Sequence, residues 1–287
     1  MRLLIYGYGF SGSVLARKMA GAGWGVVATF RSEIGRARIE ADGFDAVDVA
    51  DQASIARALS TANAVLVTAA PGPDGCPGLG TLAPLLKQVA EVPDWVGYLS
   101  TTGVYGDRQG RWVTERSPLV PWSVEGTRRV AAEAGWFELG RSCGFPMTVF
   151  RLPGIYGPGR SAFDRLREGR ARRITAPGQV FSRIHVNDLA AGLTASISRP
   201  RAGGIYNLCD DEPAPNSEVV AYAAGLLGMA PPPEVSLKDA GLSPTAMRFY
   251  GESKRISNAL AKAELGWRPV YPTYREGLAA ILATEVS

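Results

Sequence analysis

The 287-residue sequence predicts an α/β fold, a doubly wound parallel sheet followed by a smaller C-terminal α/β lobe. Short apolar and β-branched runs alternate with amphipathic stretches through the first two-thirds of the chain. Such alternation predicts parallel strands that are covered by helices on both faces. Hydrophobic residues make up 46% of the chain and charged residues 20%, so the chain can bury a substantial core.

The strands and helices of this region are predicted in strict alternation. Strands are expected at Leu3–Tyr6, Gly25–Phe30, Ala64–Thr68, Val96–Ser100 and Thr148–Leu152. Helices are expected between them, near Ser13–Ala22, Ser54–Leu59, Leu82–Ala90 and Glu125–Arg141. A further helix near Asp188–Ser198 and a strand at Gly204–Leu208 are expected to return to the same sheet.

The distribution of proline and glycine changes after residue 152 and indicates a second lobe. Pro153–Arg160 and Ala230–Pro233 have the composition of loops. We therefore predict a sheet domain over residues 1–152, to which residues 185–210 return, and a lobe over residues 153–184 and 211–287. Ligands of open α/β sheets bind beyond the carboxyl ends of the strands. The loops after Ala70, Ser100 and Leu152 should therefore face the site.

Charge and cysteine content exclude several classes of protein. The formal net charge is +4, and only the stretch Arg165–Arg173 concentrates basic residues. A solvated helix face, or a lobe that attracts phosphates, is favoured there over a nucleic-acid patch. Cys76, Cys143 and Cys209 are far apart and lack CxxC spacing, which disfavours disulfides and zinc and indicates a reducing compartment.

No apolar stretch is long enough to span a bilayer, and the apolar run at the N-terminus is too short for a signal peptide. We expect a cytoplasmic protein, monomeric or homodimeric. We expect a small-molecule partner, with phosphate- or nucleotide-bearing compounds among the options, and neither nucleic acid nor membrane.

A glycine-rich loop follows the first predicted strand directly and precedes a helix. It has the pattern GxGxxG, Gly7-Tyr-Gly9-Phe-Ser-Gly12. In this context Gly7 permits the tight turn, Gly9 lets the backbone approach a pyrophosphate, and Gly12 lets the helix pack closely on the strand. The loop predicts a Rossmann-type site that binds a dinucleotide, with Phe10 and Ser11 at the helix N-terminus among its contacts. The alternative is a glycine-rich turn without a ligand.

The residue after the second strand favours NADP over NAD. An NAD site would place a carboxylate there for the ribose hydroxyls, whereas this chain has Arg31. Its forked donors can bind a 2′-phosphate, although a merely solvated side chain is the alternative. Asp48, beside Val49, is expected to accept from the adenine amino group or to cap the following helix.

Several motifs in a fixed order resemble the extended short-chain dehydrogenase/reductases, the superfamily of NAD-dependent epimerases and dehydratases. Besides the glycine loop they are LSTTGVYGD (99–107), RLPGIYGPG (151–159), RIHVNDL (183–189), YNLCDDEP (206–213), KRISN (254–258) and ELGW (264–267). The resemblance covers nearly the full length. It implies a cofactor-binding Rossmann domain and a small lobe that closes over a substrate, often a nucleotide sugar. It also implies cofactor contacts at Ala69, Ala70 and Pro153.

The family's catalytic group is a serine or threonine after the fifth strand and a Tyr-x-x-x-Lys on the next helix. Thr101 matches the first position, and Thr102 beside it is an alternative. On the helix, Glu125 stands at the tyrosine position and Arg129 at the lysine position, so the chain resembles atypical members that lack the motif. A glutamate and an arginine four residues apart are expected to pair, which would keep Glu125 ionised and a poor proton donor. Arg129 is still expected to reach the ribose hydroxyls.

Two tyrosines are candidates for the missing acid. Tyr105 follows Thr101 on the same loop, and Tyr156 follows the sixth strand; packing against the loop is the alternative for both. Nucleotide sugars are not favoured, because the family's ligand-binding asparagine is absent from Pro153-Gly-Ile155 and its arginine is replaced by Phe181. His185 is expected to be structural.

The sequence therefore predicts an NADP(H)-dependent oxidoreductase or isomerase of the epimerase/dehydratase type, with NAD as the alternative cofactor and an unknown carbonyl or hydroxyl substrate. The alternative is a dinucleotide-binding sensor without turnover. Retention of Thr101 favours the enzyme, and loss of the tyrosine and lysine favours the sensor.

Overall fold

The central element of the fold is a seven-stranded parallel sheet with the strand order β11-β7-β5-β4-β1-β2-β3. The structure is a computed structural model and describes residues 1–242, 247 and 249–286. The strands of this sheet are β1 (Arg2–Tyr6), β2 (Gly25–Phe30), β3 (Asp45–Asp48), β4 (Ala64–Val67), β5 (Trp95–Thr101), β7 (Met147–Leu152) and β11 (Gly204–Asn207). The chain order reverses between β1 and β4, and ligands of doubly wound sheets bind at such a point.

Helices cover both faces of the sheet, as the sequence predicts. They are α1 (Phe10–Gly21), α2 (Glu33–Ala41), α3 (Gln52–Leu59), α4 (Pro77–Leu86), α5 (Val124–Cys143), α6 (Ala162–Arg167), α7 (Val186–Ile197) and α8 (Asn216–Leu226), followed by Ala259–Leu265 and Tyr274–Val286. A 3₁₀ turn spans Thr102–Tyr105. All the predicted strands and helices are present, and each of their ends lies within five residues of the predicted position. The largest shift is at α4, which begins at Pro77 because proline is tolerated in the first helical turn.

Apart from the edge strand β3, which is partly exposed, the strands are largely buried on both faces, and this explains their mainly apolar composition. Leu3 and Ile5 of β1 pack on one face with Leu15 of α1. Leu4, between them, packs on the other face with Leu82 of α4. The predicted return of residues 204–208 is confirmed, since β11 pairs with β7 at the edge of the sheet.

The lobe has a core of its own, formed by α6, α8 and the last helix. Phe163, Val220 and Leu278 are buried in it. The remaining short strands are β6 (Trp112–Val113), β8 (Gly154–Tyr156), β9 (Arg173–Thr175), β10 (Arg183–His185), β12 (Glu234–Ser236) and β13 (Arg255–Ile256). They form three two-stranded parallel sheets, β10-β8, β12-β9 and β13-β6.

One part of the C-terminal region packs against the sheet rather than within the lobe. Leu265 and Trp267 are buried in the same core as β1 and α7. The buried Asp188 holds the next segment, because its carboxylate accepts from the amides of Val270 and Tyr271 at 2.8 and 3.0 Å. No helix within the described ranges combines the length and apolar character needed to cross a membrane.

Candidate functional site

The glycine loop is fixed to three neighbouring strands. The Gly7 amide donates to Thr29 Oγ1 at 3.0 Å, and its carbonyl accepts from Thr68 Oγ1 at 2.6 Å. Gly7 has a φ of +101°, and a Cβ atom there would lie 2.7 Å from the Thr68 hydroxyl. Only glycine fits this turn without strain. The polar side chains of Thr29 and Thr68 therefore hold the loop in one shape at the carboxyl edge of the sheet.

The other two glycines of the loop have different surroundings. A Cβ atom at Gly12 would lie 3.0 Å from the Gly7 carbonyl oxygen and 3.2 Å from Ile5 Cγ2, so α1 packs closely on β1. A Cβ atom at Gly9 would meet no atom within 4 Å. Gly9 is the N-cap of α1 and provides no side-chain cap for the first helical amides. These amides, at Phe10 and Ser11, are oriented as donors for an anion, and the loop therefore fits a pyrophosphate.

The residues after β2 and β3 lie beside this loop. Arg31 is exposed and follows β2 directly. Within the part of the chain that the structure describes, it forms no ion pair. Asp48 does not cap α3: its Oδ1 accepts from the Ala50 amide at 2.9 Å, and Asp51 caps the helix instead by accepting from Ser54. The exposed Asp48 carboxylate thus lies at the end of β3, on the same edge as Arg31.

The other predicted cofactor residues meet the loop at this edge. The Val49 amide donates to the Phe30 carbonyl at 3.0 Å and extends the pairing of β3 with β2. Ala69 follows β4, and its Cβ lies 3.6 Å from the Cβ position of Gly7. Ala70 comes next and is exposed, and Pro153 follows β7 and is half-buried. Because the strands are parallel, all these residues lie beyond the carboxyl end of one sheet.

Thr101 ends β5 and caps the 3₁₀ turn. Its Oγ1 accepts from the Gly103 amide at 3.1 Å, which leaves the hydroxyl proton available for another acceptor. Thr102 is buried within the turn and has no comparable access. The tight contact of α5 with the turn, where a Cβ atom at Gly126 would lie 3.0 Å from the Gly103 carbonyl, fixes the start of the helix beside Thr101.

Arg129 points from α5 to β5. Its guanidinium donates to the Leu99 carbonyl and to the Tyr98 hydroxyl, the latter at 3.3 Å, and lies 5.6 Å from the centre of the Tyr98 ring. The expected ion pair with Glu125 is not among the ion pairs of the described residues, because the arginine turns to the strand, where a carbonyl and an aromatic face receive it. Glu125 itself is exposed at the start of α5. Burial raises the pKa of the Tyr98 hydroxyl, although Arg129 acts to lower it.

Tyr105 does not lie open to the site. Its side chain is fully buried, and its hydroxyl donates to Asn207 Oδ1 at 2.8 Å while it accepts from Arg151 Nη1 at 3.1 Å. Burial raises the pKa of this hydroxyl. Of the two alternatives for Tyr105, packing and catalysis, this geometry favours packing.

Tyr156 is also enclosed. Its hydroxyl is buried without a hydrogen-bond partner among the described residues, and its ring lies 5.3 Å from that of His185. Burial again raises the pKa of the hydroxyl. His185 is structural, as expected: it caps α7 by accepting from the Asn187 amide through Nδ1 at 3.2 Å. Burial lowers its pKa to about 4, so the ring is neutral at pH 7.

Sequence reasoning missed a buried network beneath the site. Arg151 of β7 pairs with Glu133 of α5 at 2.8 Å, and both side chains are almost completely buried. Ser100, next to Thr101, donates to the same carboxylate at 2.5 Å. Arg151 lies in one of the motifs that carried the family resemblance and Glu133 does not, and only their contact across 18 residues shows their role. The network joins β5, α5 and β7 and thereby fixes the segment that carries Thr101.

The fold and the loop define a class of protein. An uncapped helix N-terminus, a glycine turn with positive φ and a threonine at the end of β5 lie at one edge of a doubly wound sheet. This is the arrangement of a Rossmann-type dinucleotide-binding protein. Among the described residues, no group of three or more histidine, cysteine or acidic side chains could hold a metal ion.

Comparison with known proteins identifies what the chain is similar to. Residues 86–209 match the model of the NAD dependent epimerase/dehydratase family. The structure is similar to a functionally unknown conserved protein from Silicibacter pomeroyi, with a TM-score of 0.92 and 44% identity over 99% of this chain and 98% of that chain. Protein YeeZ of Escherichia coli K12 is 28% identical over 94% of this chain and 96% of its own length. The human epimerase family protein SDR39U1 (isoform 2), solved with NADPH, has a TM-score of 0.79 and 18% identity, with 99% of both chains covered.

Proposed function

We propose that the protein is an NADPH-dependent oxidoreductase that reduces the carbonyl group of a small molecule. The observation that carries the proposal is Arg31, an exposed guanidinium at the position where an NAD site keeps a carboxylate. Its planar fork matches a 2′-phosphate, and it has no competing ion pair in the described ranges. The human relative solved with NADPH supports the same cofactor.

The chain would bind this cofactor with its backbone and two arginines. The amides of Phe10 and Ser11 at the N-terminus of α1 would receive the pyrophosphate, and Arg31 the 2′-phosphate. Asp48 would accept from the adenine amino group. Arg129, fixed on Leu99, would direct its remaining N–H groups to the ribose hydroxyls.

NADPH, when bound, supplies a hydride to the carbonyl carbon of the substrate. Thr101 would donate its hydroxyl proton in a hydrogen bond to the carbonyl oxygen, since the other side of its oxygen is already occupied by Gly103. This bond stabilises the negative charge that develops on the oxygen. Thr101 itself stays protonated, and water delivers the proton that completes the alcohol, so the products are the alcohol and NADP⁺.

A titration tests the cofactor proposal. NADPH and NADH are titrated by intrinsic fluorescence at two salt concentrations against the wild type, Arg31→Ala and Arg141→Ala, a control on the exposed end of α5. The wild type should bind NADPH more tightly, and Arg31→Ala should lose about 1.5–3 kcal/mol of NADPH binding only. Equal affinities of the wild type for both cofactors would refute the preference for NADPH.

A sensor without turnover is the second candidate function. Two observations favour it. Glu125 occupies the position of the family's tyrosine, and the substitute candidate Tyr105 is fully buried. Hydride transfer from NADPH to a broad panel of aldehydes and ketones separates the two candidates, with Thr101→Val as the variant. Turnover that falls in Thr101→Val supports the enzyme. Tight NADPH binding without oxidation by any compound supports the sensor.

A further inference from the structure

Arg183 lies beside the open part of the candidate site. It belongs to β10, where it pairs in register with Gly154 of β8. Gly154 follows Pro153, one of the predicted cofactor residues at the end of β7. Side chains of paired residues in a parallel sheet lie on the same face. A Cβ atom at Gly154 would meet only the Ser182 carbonyl, at 3.8 Å, so the space next to Arg183 on this side is open.

The guanidinium of Arg183 is held in one orientation by backbone oxygens. Its Nη1 donates to the carbonyls of Phe181 and Ala214 at 2.8 and 2.9 Å. These two residues are themselves joined by a β-bridge, which makes the support rigid. The guanidinium donates no further hydrogen bond to any residue in the described part of the chain. Nε and Nη2 therefore keep donors that a ligand can use.

No neighbouring carboxylate neutralises this charge. Asp210 is the acidic side chain with the strongest electrostatic influence on Arg183, yet the two side chains form no ion pair in the described structure. Both Asp210 carboxyl oxygens are buried without a hydrogen-bond partner there. Burial raises the pKa of Asp210 well above its usual range, which favours the neutral form. The other groups near Arg183 are the phenols of Tyr156, Tyr250 and Tyr274.

We propose that Arg183 anchors an oxyanion of the substrate, a carboxylate or a phosphate, in the space over Gly154. A half-buried guanidinium that is oriented by carbonyls and lacks a counter-ion is preorganised for a planar, two-point contact with such a group. The inference rests on the proposed function in one respect: the anion would belong to the compound that is reduced. It restricts the substrate class to anionic carbonyl compounds.

Anion binding to the purified protein tests the proposal. Inorganic phosphate and acetate are titrated by calorimetry at constant ionic strength, with and without saturating NADPH, so that the cofactor's phosphate sites do not compete. The variants are Arg183→Gln, Arg183→Lys, which keeps the charge, and Arg141→Gln, which removes an exposed arginine near the end of α5. Urea unfolding confirms that each variant is folded, and Arg183→Lys serves as the readout if Arg183→Gln is not.

We expect the wild type and Arg141→Gln to bind at least one anion with equal affinity. Arg183→Gln should weaken it by about tenfold or more, and Arg183→Lys by less, since it retains the charge without the fork. Preference for phosphate or for acetate identifies the kind of oxyanion. The proposal is overturned if the wild type binds neither anion or if the folded Arg183 variants bind as the wild type does. Failure of NADPH to bind would instead refute the proposed function, while binding dependent on Arg183 would persist without cofactor.

Discussion

The Tyr105 hydroxyl donates to the side chain of Asn207 at 2.8 Å, across a sequence separation of 102 residues. The same hydroxyl accepts from Arg151, which in turn pairs with Glu133. One buried hydrogen-bonded chain therefore joins the 3₁₀ turn after Thr101 to β7, β11 and α5. Buried side chains beneath the turn therefore hold the segment that carries the Thr101 hydroxyl.

The first prediction concerns Tyr105→Phe. Removing the hydroxyl leaves the buried Asn207 Oδ1 without its donor and removes one of the acceptors of Arg151, so the free energy of unfolding should fall by about 1–3 kcal/mol. NADPH affinity should not change, because the ring stays buried. Urea unfolding and fluorescence titration measure the two quantities. An unchanged stability with lost turnover would show that the phenol serves the reaction after all.

The second prediction compares two glycines of the same loop. Gly9→Val should fold normally and lose both NADPH and NADH, because its side chain enters the space of the pyrophosphate and touches no protein atom. Gly12→Val should unfold at lower temperature or fail to fold, because its Cβ atom meets the Gly7 carbonyl and Ile5. Circular dichroism and cofactor titration distinguish the outcomes. Normal affinity in a folded Gly9→Val variant would mean that the loop is only a turn.

The third prediction concerns the buried ion pair. Glu133→Gln should cost about 3–5 kcal/mol of unfolding free energy, because Arg151 is then left buried without its counter-charge. Arg151→Met should cost a similar amount. The double variant Glu133→Leu with Arg151→Met should cost less than the sum, since no unpaired charge remains. Strictly additive losses in urea unfolding would contradict the coupling.

The fourth prediction is a pH dependence due to His185. Its pKa in the folded protein, about 4, is below the ordinary value of 6.5, so between these values the unfolded chain binds the proton more readily. The stabilisation is therefore complete above pH 6.5 and declines as the pH falls towards 4, by at most about 1.4 kcal/mol per pH unit.

The matched variant for this test is His185→Asn. An asparagine side chain can still accept from the Asn187 amide and cap α7, but it does not titrate. When the pH falls from 7 to 5, the unfolding free energy of the wild type should decrease relative to that of the variant. Parallel curves for the two proteins would show that another group causes the pH dependence.

The architecture of the sheet could be predicted from local sequence patterns. Every strand of the sheet except β3 is a short run of mainly apolar residues, and the alternation of such runs with amphipathic helices predicts a parallel doubly wound sheet. The shape of the glycine loop could also be predicted from the sequence. The tight turn at Gly7 and the close packing at Gly12 both require glycine, so the residue type indicates the backbone geometry.

The partners of the polar side chains, by contrast, depend on contacts between elements that are distant in the sequence. Glu125 and Arg129 have the spacing of a helical ion pair, yet Arg129 lies on Leu99 and Tyr98, because a carbonyl and an aromatic face on β5 are within its reach. Tyr105 follows Thr101 by four residues in the sequence, but its side chain is buried in the folded protein. Burial and partners come from contacts between distant segments, and no local pattern encodes which of several polar groups a long side chain will meet.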